Sequence, residues 1–231
     1  MLEKRSYKKE LLDGDSIPFA DIQQNMKELN FINTWLGGHT ITINAFQRFL
    51  NNRKTISICE IGCGGGDNLL AIYRWCTKRG VTVTITGIDI KAECIAFAKS
   101  RKRFPTSATW ITSDYQRVQF NEKPDIIFSS LFCHHFTNEE LVFQLKWMKQ
   151  NSAAGFFIND LQRNTLAYFL IKGLTHVFSR SYLVKNDAPL SVARGFSKHE
   201  LKFICAEAGI AGASISWKWA FRYVLIYDHA K

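Results

Sequence analysis

The sequence predicts an α/β fold in which helices cover a mostly parallel sheet. A β-branched run at residues 55–61 meets glycines at alternate positions and then a helical apolar pattern. Further β-rich runs alternate with helical patterns as far as residue 160. The chain closes with two consecutive strand-like runs, 213–219 and 221–227, which favour an antiparallel hairpin. A chain of 231 residues suits one such domain.

The composition is that of an ordinary globular protein, with 46% hydrophobic and 22% charged residues. The N-terminus is charged and lacks the apolar stretch of a secretion signal. The six cysteines lack the Cys-x-x-Cys pairing of zinc or redox sites. We therefore expect a cytoplasmic protein with reduced thiols.

The net charge of +10 is concentrated in residues 161–231, which hold 10 basic and 4 acidic side chains. This excess could attract an anionic substrate, nucleic acid or a membrane surface, or could be a solvated surface. Peripheral membrane association therefore stays open. The apolar stretch 166–171 is too short to span a bilayer.

The N-terminal segment, residues 1–50, lies outside the alternating pattern. Residues 1–12 are amphipathic and predict a short helix, which Gly14 breaks. A second helix opens at Asp15-Ser16-Ile17-Pro18. After the glycines at 37 and 38, a third helix is predicted over 41–50.

The stretch 55–67 is a strand, a glycine turn and a helix start. Gly62 permits the tight turn, Gly64 lets a ligand approach the backbone, and Gly66 lets the helix begin close to the sheet. Glu60 places a carboxylate at the strand end, where it would repel a pyrophosphate and suit an ammonium or sulfonium group. The alternative is a glycine turn between any strand and helix.

The pattern Glu60-x-Gly62-x-Gly64-x-Gly66 resembles the first motif of the class I S-adenosylmethionine (SAM)-dependent methyltransferases. The resemblance runs motif by motif over residues 55–160. It implies a Rossmann-like seven-stranded sheet in the order 3-2-1-4-5-7-6, with SAM as methyl donor and S-adenosylhomocysteine (SAH) as product. It also divides the single domain: an N-terminal helical lid 1–50, a SAM-binding core 55–160, an acceptor-binding insertion 161–196, and a final helix and hairpin 197–231.

The second predicted strand, 81–89, ends on Asp89, where a ribose-binding carboxylate is expected. A helix over 92–100 follows, and a third strand, 108–112, leads to Asp114. The resemblance makes Asp114 an acceptor for the adenine amino group, although a loop cap is an equal alternative. The full set of expected cofactor contacts is Glu60, Gly62, Cys63, Gly64, Gly66, Asp89, Ile90, Asp114, Tyr115 and Ser130.

The fourth predicted strand, 126–130, leads into His134 and His135, and Thr137 begins a capping box for a helix over 139–149. Ligands of open α/β sheets lie beyond the carboxyl ends of the strands. Either imidazole could take a proton from an attacking hydroxyl, or one ring could simply pack. We expect no metal, because adjacent histidines do not readily chelate one ion and no carboxylate is spaced to help.

The fifth strand, 155–160, precedes an apolar helix over 165–178 and a non-periodic stretch, 181–196. A capping box at Ser197 opens a last helix, 201–208. The wide apolar face of 165–178 suits an acceptor pocket, and equally core packing or a dimer contact. The expected acceptor contacts are His39, Asp160, Arg163, Tyr182 and Arg194.

Segments 30–39 and 159–196 resemble the small-molecule branch similar to ubiquinone- and menaquinone-biosynthesis enzymes, with phenol- and polyketide-modifying members. His134-His135 replaces the Arg-Asn pair of the quinone C-methyltransferases, which favours transfer to oxygen of a hydrophobic phenolic, quinol or polyketide-like acceptor. The alternatives are C-methylation of a quinone precursor, an RNA methyltransferase, which lacks motif support, and a SAM-binding protein without catalysis. A monomer and a homodimer both remain open.

Overall fold

The structure, a computed structural model, describes residues 2–14, 17–210 and 212–230. Within these residues, seven strands form one sheet in the order β3-β2-β1-β4-β5-β7-β6, which confirms the predicted order. The strands are β1 Thr55–Ile61, β2 Thr82–Asp89, β3 Thr109–Thr112, β4 Ile126–Ser130, β5 Gly155–Leu161, β6 Ser214–Lys218 and β7 Arg222–Asp228. Strands β1 to β5 pair in parallel, whereas β7 is antiparallel to β5 and β6. The carboxyl ends of β1, β2, β4 and β5 therefore meet at one edge, called the carboxyl edge below.

Helices cover both faces of the sheet. They are α1 Phe19–Trp35, α2 Gly38–Gln47, α3 Asp67–Thr77, α4 Ala92–Ser100, α5 Asn138–Asn151, α6 Thr165–Phe178, α7 Tyr182–Arg194 and α8 Lys198–Glu207. Neighbouring strand residues point to opposite faces, so Phe156 joins the core under α5 and α8 while Phe157 joins the core under α2 and α3. Because both faces are buried, the central strands are almost continuously apolar. All six cysteines are buried free thiols; five lie within these two cores, and Cys94 lies in a third apolar cluster with Ile22 and Met26.

The N-terminal segment differs from the predicted helix over residues 1–12. Residues 5–10 are not helical, and a short 3-10 turn, Leu11–Asp13, precedes Gly14. Arg5 and Glu10 are buried, and the Ser6 N–H donates to the carbonyl of Ala193. The segment is held by these polar contacts with the rest of the protein rather than by its own helical bonds. The expected helix opening at Asp15-Ser16 lies outside the described residues, and α1 begins directly after Pro18.

Helix α7 occupies most of the stretch that shows no periodicity in the sequence. Ser181 caps it by accepting a hydrogen bond from the Val184 N–H, and Pro189 lies inside it. Asp187 faces inward because its carboxylate accepts the N–H groups of Leu11 and Leu12. An interior proline and a buried acid thus hide the helical pattern.

The apolar face of α6 is exposed rather than buried. Leu166 is 60% and Val177 71% exposed, so the core-packing interpretation is wrong for the single chain. The acceptor pocket and the dimer contact both stay predictions. Along the part of the chain that the structure describes, no helix has the length and apolar character needed to cross a bilayer.

Candidate active site

The glycine turn after β1 lies at the carboxyl edge. Gly62, Gly64 and Gly66 have φ values of +64°, +51° and +74°, a region that favours glycine. A Cβ on Gly62 would overlap the ring of Phe132. At Gly64, by contrast, no described residue other than its two chain neighbours has an atom within 4 Å of the position that a Cβ would take. The turn therefore packs tightly at its start and leaves its second glycine open to a ligand.

Asp89 lies next to this turn. Its Oδ2 accepts the N–H of Gly64 at 2.8 Å, and its Oδ1 accepts the N–H of Lys91 at 2.9 Å. Burial raises the pKa of this carboxyl group, although the two N–H groups favour its ionised form. The end of β2 thus holds a carboxylate directly beside the open glycine.

Glu60 is the most buried acid of the site, 1% exposed. Its Oε1 accepts from Asn68 Nδ2 at 3.1 Å, while no donor among the described residues reaches Oε2. Burial raises the pKa of Glu60 well above its usual range. A buried carboxyl oxygen without a donor suits a positively charged ligand group.

His39 links Glu60 to the N-terminal helices. Its Nδ1 is hydrogen-bonded to Asn68 Oδ1 at 2.8 Å and its Nε2 to Asn30 Oδ1 at 2.9 Å. Burial lowers the pKa of His39. This residue, expected to contact the acceptor, therefore connects α1 and α3 through a continuous polar chain.

The three residues expected near adenine differ in their exposure and in their contacts. Ile90 is 69% exposed, whereas Tyr115 is buried, with its ring edge-on to Phe132, Phe136 and Trp147. Asp114 Oδ1 accepts the Gln116 N–H at 3.0 Å, which is the loop-cap alternative. A cap of this kind leaves Asp114 Oδ2 for a ligand, while the ring of Tyr115 serves core packing.

His134 and His135 lie in the turn after β4, residues 131–136, called the histidine turn. His134 is 3% exposed, and its Nδ1 lies 2.7 Å from Asp160 Oδ1. Its Nε2 lies 3.6 Å from Glu10 Oε1. Burial alone would lower the pKa of His134, but the charge of Asp160 and the contacts with both acids raise it to about 9. This imidazole is therefore protonated at neutral pH, which makes it a poor proton acceptor.

His135 has a different environment. Its side chain is 22% exposed, and its Nδ1 lies 3.2 Å from Asp13 Oδ1. Its Nε2 is 3.8 Å from Glu10 Oε2, too far for a hydrogen bond. Asp13 is partly buried, but the hydrogen bond and charge of His135 hold the pKa of its carboxyl far below the usual range. This arrangement orients the ring through Nδ1 and leaves Nε2 without a hydrogen-bond partner among the described residues.

Arg194 and Arg5 hold the histidine turn through its carbonyl groups. Arg194 donates to the carbonyls of His134 and His135 at 3.1 and 2.7 Å. Arg5 donates to the carbonyls of His134 and Phe136 at 3.1 and 2.7 Å. Arg194, expected to contact the acceptor, thus acts on the protein itself.

The remaining two expected acceptor residues lie apart from the histidines. Arg163 forms a two-point ion pair with Glu200, both contacts at 2.9 Å. Tyr182 is 52% exposed, and its hydroxyl donates to Asp21 at 3.3 Å. Arg163 therefore joins the insertion to α8, and Tyr182 joins α7 to α1.

The expectation that no carboxylate lies near the histidine pair is wrong, because Glu10 lies beside both rings. Ligand atoms of Glu10, His134 and His135 lie within 4.8 Å of one another. Ser191 also donates to Glu10 Oε1 at 2.6 Å, so protein groups already serve this carboxylate. Glu10 is 124 positions from His134 in the chain, and no local signal marks it.

Comparisons with known proteins agree with this geometry. Residues 58–152 match the family model described as a methyltransferase domain. No curated protein matches the chain significantly. The matched residues contain the glycine turn, Asp89 and the histidine turn.

Solved structures share the fold at low sequence identity. Human N-acetylserotonin methyltransferase in complex with SAM is 15% identical, with a TM-score of 0.65 over 91% of this chain and 56% of that chain. The plantazolicin methyltransferase BpumL in complex with SAH is 18% identical, with a TM-score of 0.65 over 91% of this chain and 90% of that chain. Magnesium protoporphyrin IX methyltransferase from Synechocystis PCC 6803 with bound SAM is 14% identical, with a TM-score of 0.53 over 94% and 88%. This chain thus spans little more than half the length of the human protein.

Proposed function

We propose that this chain, which contains a class I SAM-dependent methyltransferase domain, transfers a methyl group to an oxygen atom of a hydrophobic small molecule. The acceptor class is phenolic, quinol or polyketide-like. Cytoplasmic action is part of the proposal, and the free thiols support it. The structural relatives act on small molecules according to their names, which supports an acceptor of that size.

The cofactor fits the carboxyl edge in three places. The glycine turn is open at Gly64, the orphaned Oε2 of Glu60 suits a positive group, and Asp89 can exchange its bond with Gly64 for ribose hydroxyls. SAM, when bound, supplies a methyl group already activated on a sulfonium. The protein therefore needs to position the acceptor, exclude water and accept one proton.

His135 is the observation that supports transfer to oxygen. We assign its Nε2 as the acceptor of the hydroxyl proton and Asp13 as the group that orients its ring. The carboxylate of Glu10 would stabilise the imidazolium that forms. His134 positions the turn instead, because Asp160 at Nδ1 and Glu10 near Nε2 hold its ring in the charged form.

The test is a methyl-transfer assay with labelled SAM and a panel of phenols, quinols and polyketide-like phenols, with products identified by mass and NMR. We expect O-methylated product, and a fall in kcat of at least 100-fold in His135→Asn, within the usual range for a lost general base. His199→Asn, an exposed histidine on α8, is the matched control and keeps wild-type kcat. A C-methylated product, or an unchanged kcat in His135→Asn, would overturn the assignment.

A further inference from the structure

Four polar residues form a row across the sheet on one face. Glu60, Ser130, Asn159 and Arg222 each lie two positions from an apolar residue of the core under α2, namely Ile58, Phe128, Phe157 and Val224. Residues two apart in a strand share a face. Ser130 is paired with Asn159, Glu60 is level with Phe128, and Arg222 is level with Leu161. The four side chains therefore form a staggered row on one face of β1, β4, β5 and β7 at the carboxyl edge, a set called the polar row.

Every member of the polar row is buried and has an unpartnered polar atom. Within the described chain, no hydrogen-bond partner reaches Glu60 Oε2, Ser130 Oγ, Asn159 Oδ1, or Nε and Nη1 of Arg222. Buried polar groups in folded proteins are almost always paired, so each orphan needs an explanation. Four residues with unpartnered atoms on four neighbouring strands indicate that ligands bind along the row, rather than four separate defects.

Of the four residues, Arg222 gives the strongest indication of a missing ligand. It is 3% exposed and pairs with no carboxylate of the described residues. Its one hydrogen bond runs from Nη2 to Asn33 Oδ1 at 2.9 Å. Burial lowers its pKa to about 10, so it remains charged at neutral pH. An isolated buried charge is costly unless an anion completes it.

The start of α2 adds to the positive character of this place. A Cβ on Gly38, the first residue of α2, would lie 3.0 Å from Arg222 Nη1, so the helix begins against the guanidinium. The N-terminal end of a helix carries a partial positive charge. The two features favour an anion at the same point.

The position of Arg222 separates it from the cofactor contacts. Strand β7 lies three strands from β1, about 14 Å at the usual strand spacing. Glu60 and the glycine turn are on the β1 side, whereas Arg222 adjoins the end of β5, where the insertion begins. SAM would thus lie at the Glu60 end of the polar row, and the acceptor at the Arg222 end.

We propose that the acceptor carries an oxyanion, a carboxylate or an ionised hydroxyl, which binds Arg222 at the far end of the polar row. Ser130 and Asn159 hydrogen-bond the acceptor between that anion and the methyl donor. This inference rests on the proposed function and narrows its acceptors to amphipathic molecules with one anionic group. Arg222 then fixes the orientation in which the hydroxyl meets His135.

The test is calorimetry on the SAH complex with two acids, salicylate and 3,4-dihydroxybenzoate, each beside its neutral carboxamide. We expect the wild-type complex to bind the acids at least tenfold more tightly than the amides. Arg222→Met removes this preference, and Arg48→Met, at an exposed arginine, keeps it. The case of an ionised hydroxyl is tested with 4-nitrophenol, whose ionisation is followed by its absorbance as the pH is varied. Arg222 should lower the pKa of the bound phenol below that of the free phenol. Equal responses to acids and amides, including no response to either, together with no shift for the phenol, would overturn the proposal.

SAH affinity separates this inference from the proposed function. SAH should bind wild type, Arg222→Met and Arg48→Met with equal affinity. A loss of SAH affinity in Arg222→Met would assign the arginine to the cofactor's own carboxylate and overturn the acceptor assignment. Absence of SAH binding to wild type would instead contradict the proposed function. The melting temperature of Arg222→Met should be no lower than that of wild type, because the substitution removes a buried unpaired charge. If Arg222→Met fails to fold, Arg222→Lys and the comparison of acids with amides in wild type still test the acceptor assignment.

Discussion

His134 and Asp160 form a buried ion pair that joins the ends of two neighbouring strands. The 2.7 Å contact between Nδ1 and Oδ1 connects the histidine turn after β4 to the last residues of β5. Asp160 Oδ2 also accepts the N–H groups of Phe132 and His134 at 3.2 and 3.3 Å. This one carboxylate therefore fixes both the backbone and the side chain of the turn that presents His135.

The pair predicts a dependence of stability on pH. The folded pKa of His134 is about 9, above its usual 6.5, because Asp160 and Glu10 stabilise the charged ring. The resulting stabilisation is complete below pH 6.5 and is lost as the pH rises through 9. At one pKa unit per about 1.4 kcal/mol, the loss is on the order of 3 kcal/mol.

Urea unfolding of wild type and His134→Gln at pH 6.5 and 9.5 measures this effect. We expect the free energy of unfolding to fall with pH in wild type and to change much less in His134→Gln. His199→Gln, exposed on α8, should behave as wild type. A flat wild-type profile across this interval would show that the buried ring is not ionised.

Substitution by alanine should lower the free energy of unfolding by different amounts at two glycines that share the same backbone conformation. Gly62 and Gly80 have φ values of +64° and +66°. A Cβ on Gly62 meets Phe132, while at Gly80 no described atom lies within 4 Å. Gly80→Ala should cost about 1 kcal/mol from backbone strain alone, and Gly62→Ala clearly more, with loss of SAM binding. Thermal unfolding and SAM titration test this, and equal costs would mean that Phe132 moves away freely.

Removal of metal should leave activity unchanged. The carboxylates around the two histidines form ion pairs with imidazole and guanidinium groups. One example is the contact of Arg194 Nη1 with Asp13 Oδ2 at 3.3 Å. Because protein groups already serve Glu10 and Asp13, the proposed mechanism needs no ion. Purified protein assayed before and after a chelator, with its metal content measured, tests this. A stoichiometric metal whose removal abolishes transfer would make Glu10, His134 and His135 its ligands.

The sequence predicts the sheet well because each strand is a local run with a strand pattern and a turn signal behind it. The pattern is nearly continuously apolar in the central strands and alternating in β2 and β6. The bounds of α4, β4 and α6 are as predicted, and the capping boxes at Thr137 and Ser197 are present. These features depend on neighbouring residues alone.

The site is harder to predict because its groups meet only through tertiary structure. Glu10 reaches the histidines from the N-terminal segment, and Arg222 reaches Asn33 across 189 positions. Buried polar residues such as Asp187 also disguise the pattern of α7. Arg222 is the first residue of β7, where a charged side chain is ordinary, so the sequence carries no local signal of its burial.

Calorimetric titration of SAM into wild type, Asp89→Ala and Asp228→Ala shows whether the carboxyl edge binds SAM. Asp89 lies beside the open glycine, whereas Asp228 ends β7 at the opposite edge of the sheet. We expect one SAM per chain, an affinity at least tenfold lower in Asp89→Ala, and wild-type affinity in Asp228→Ala. A wild-type protein that binds a dinucleotide but not SAM would contradict this expectation.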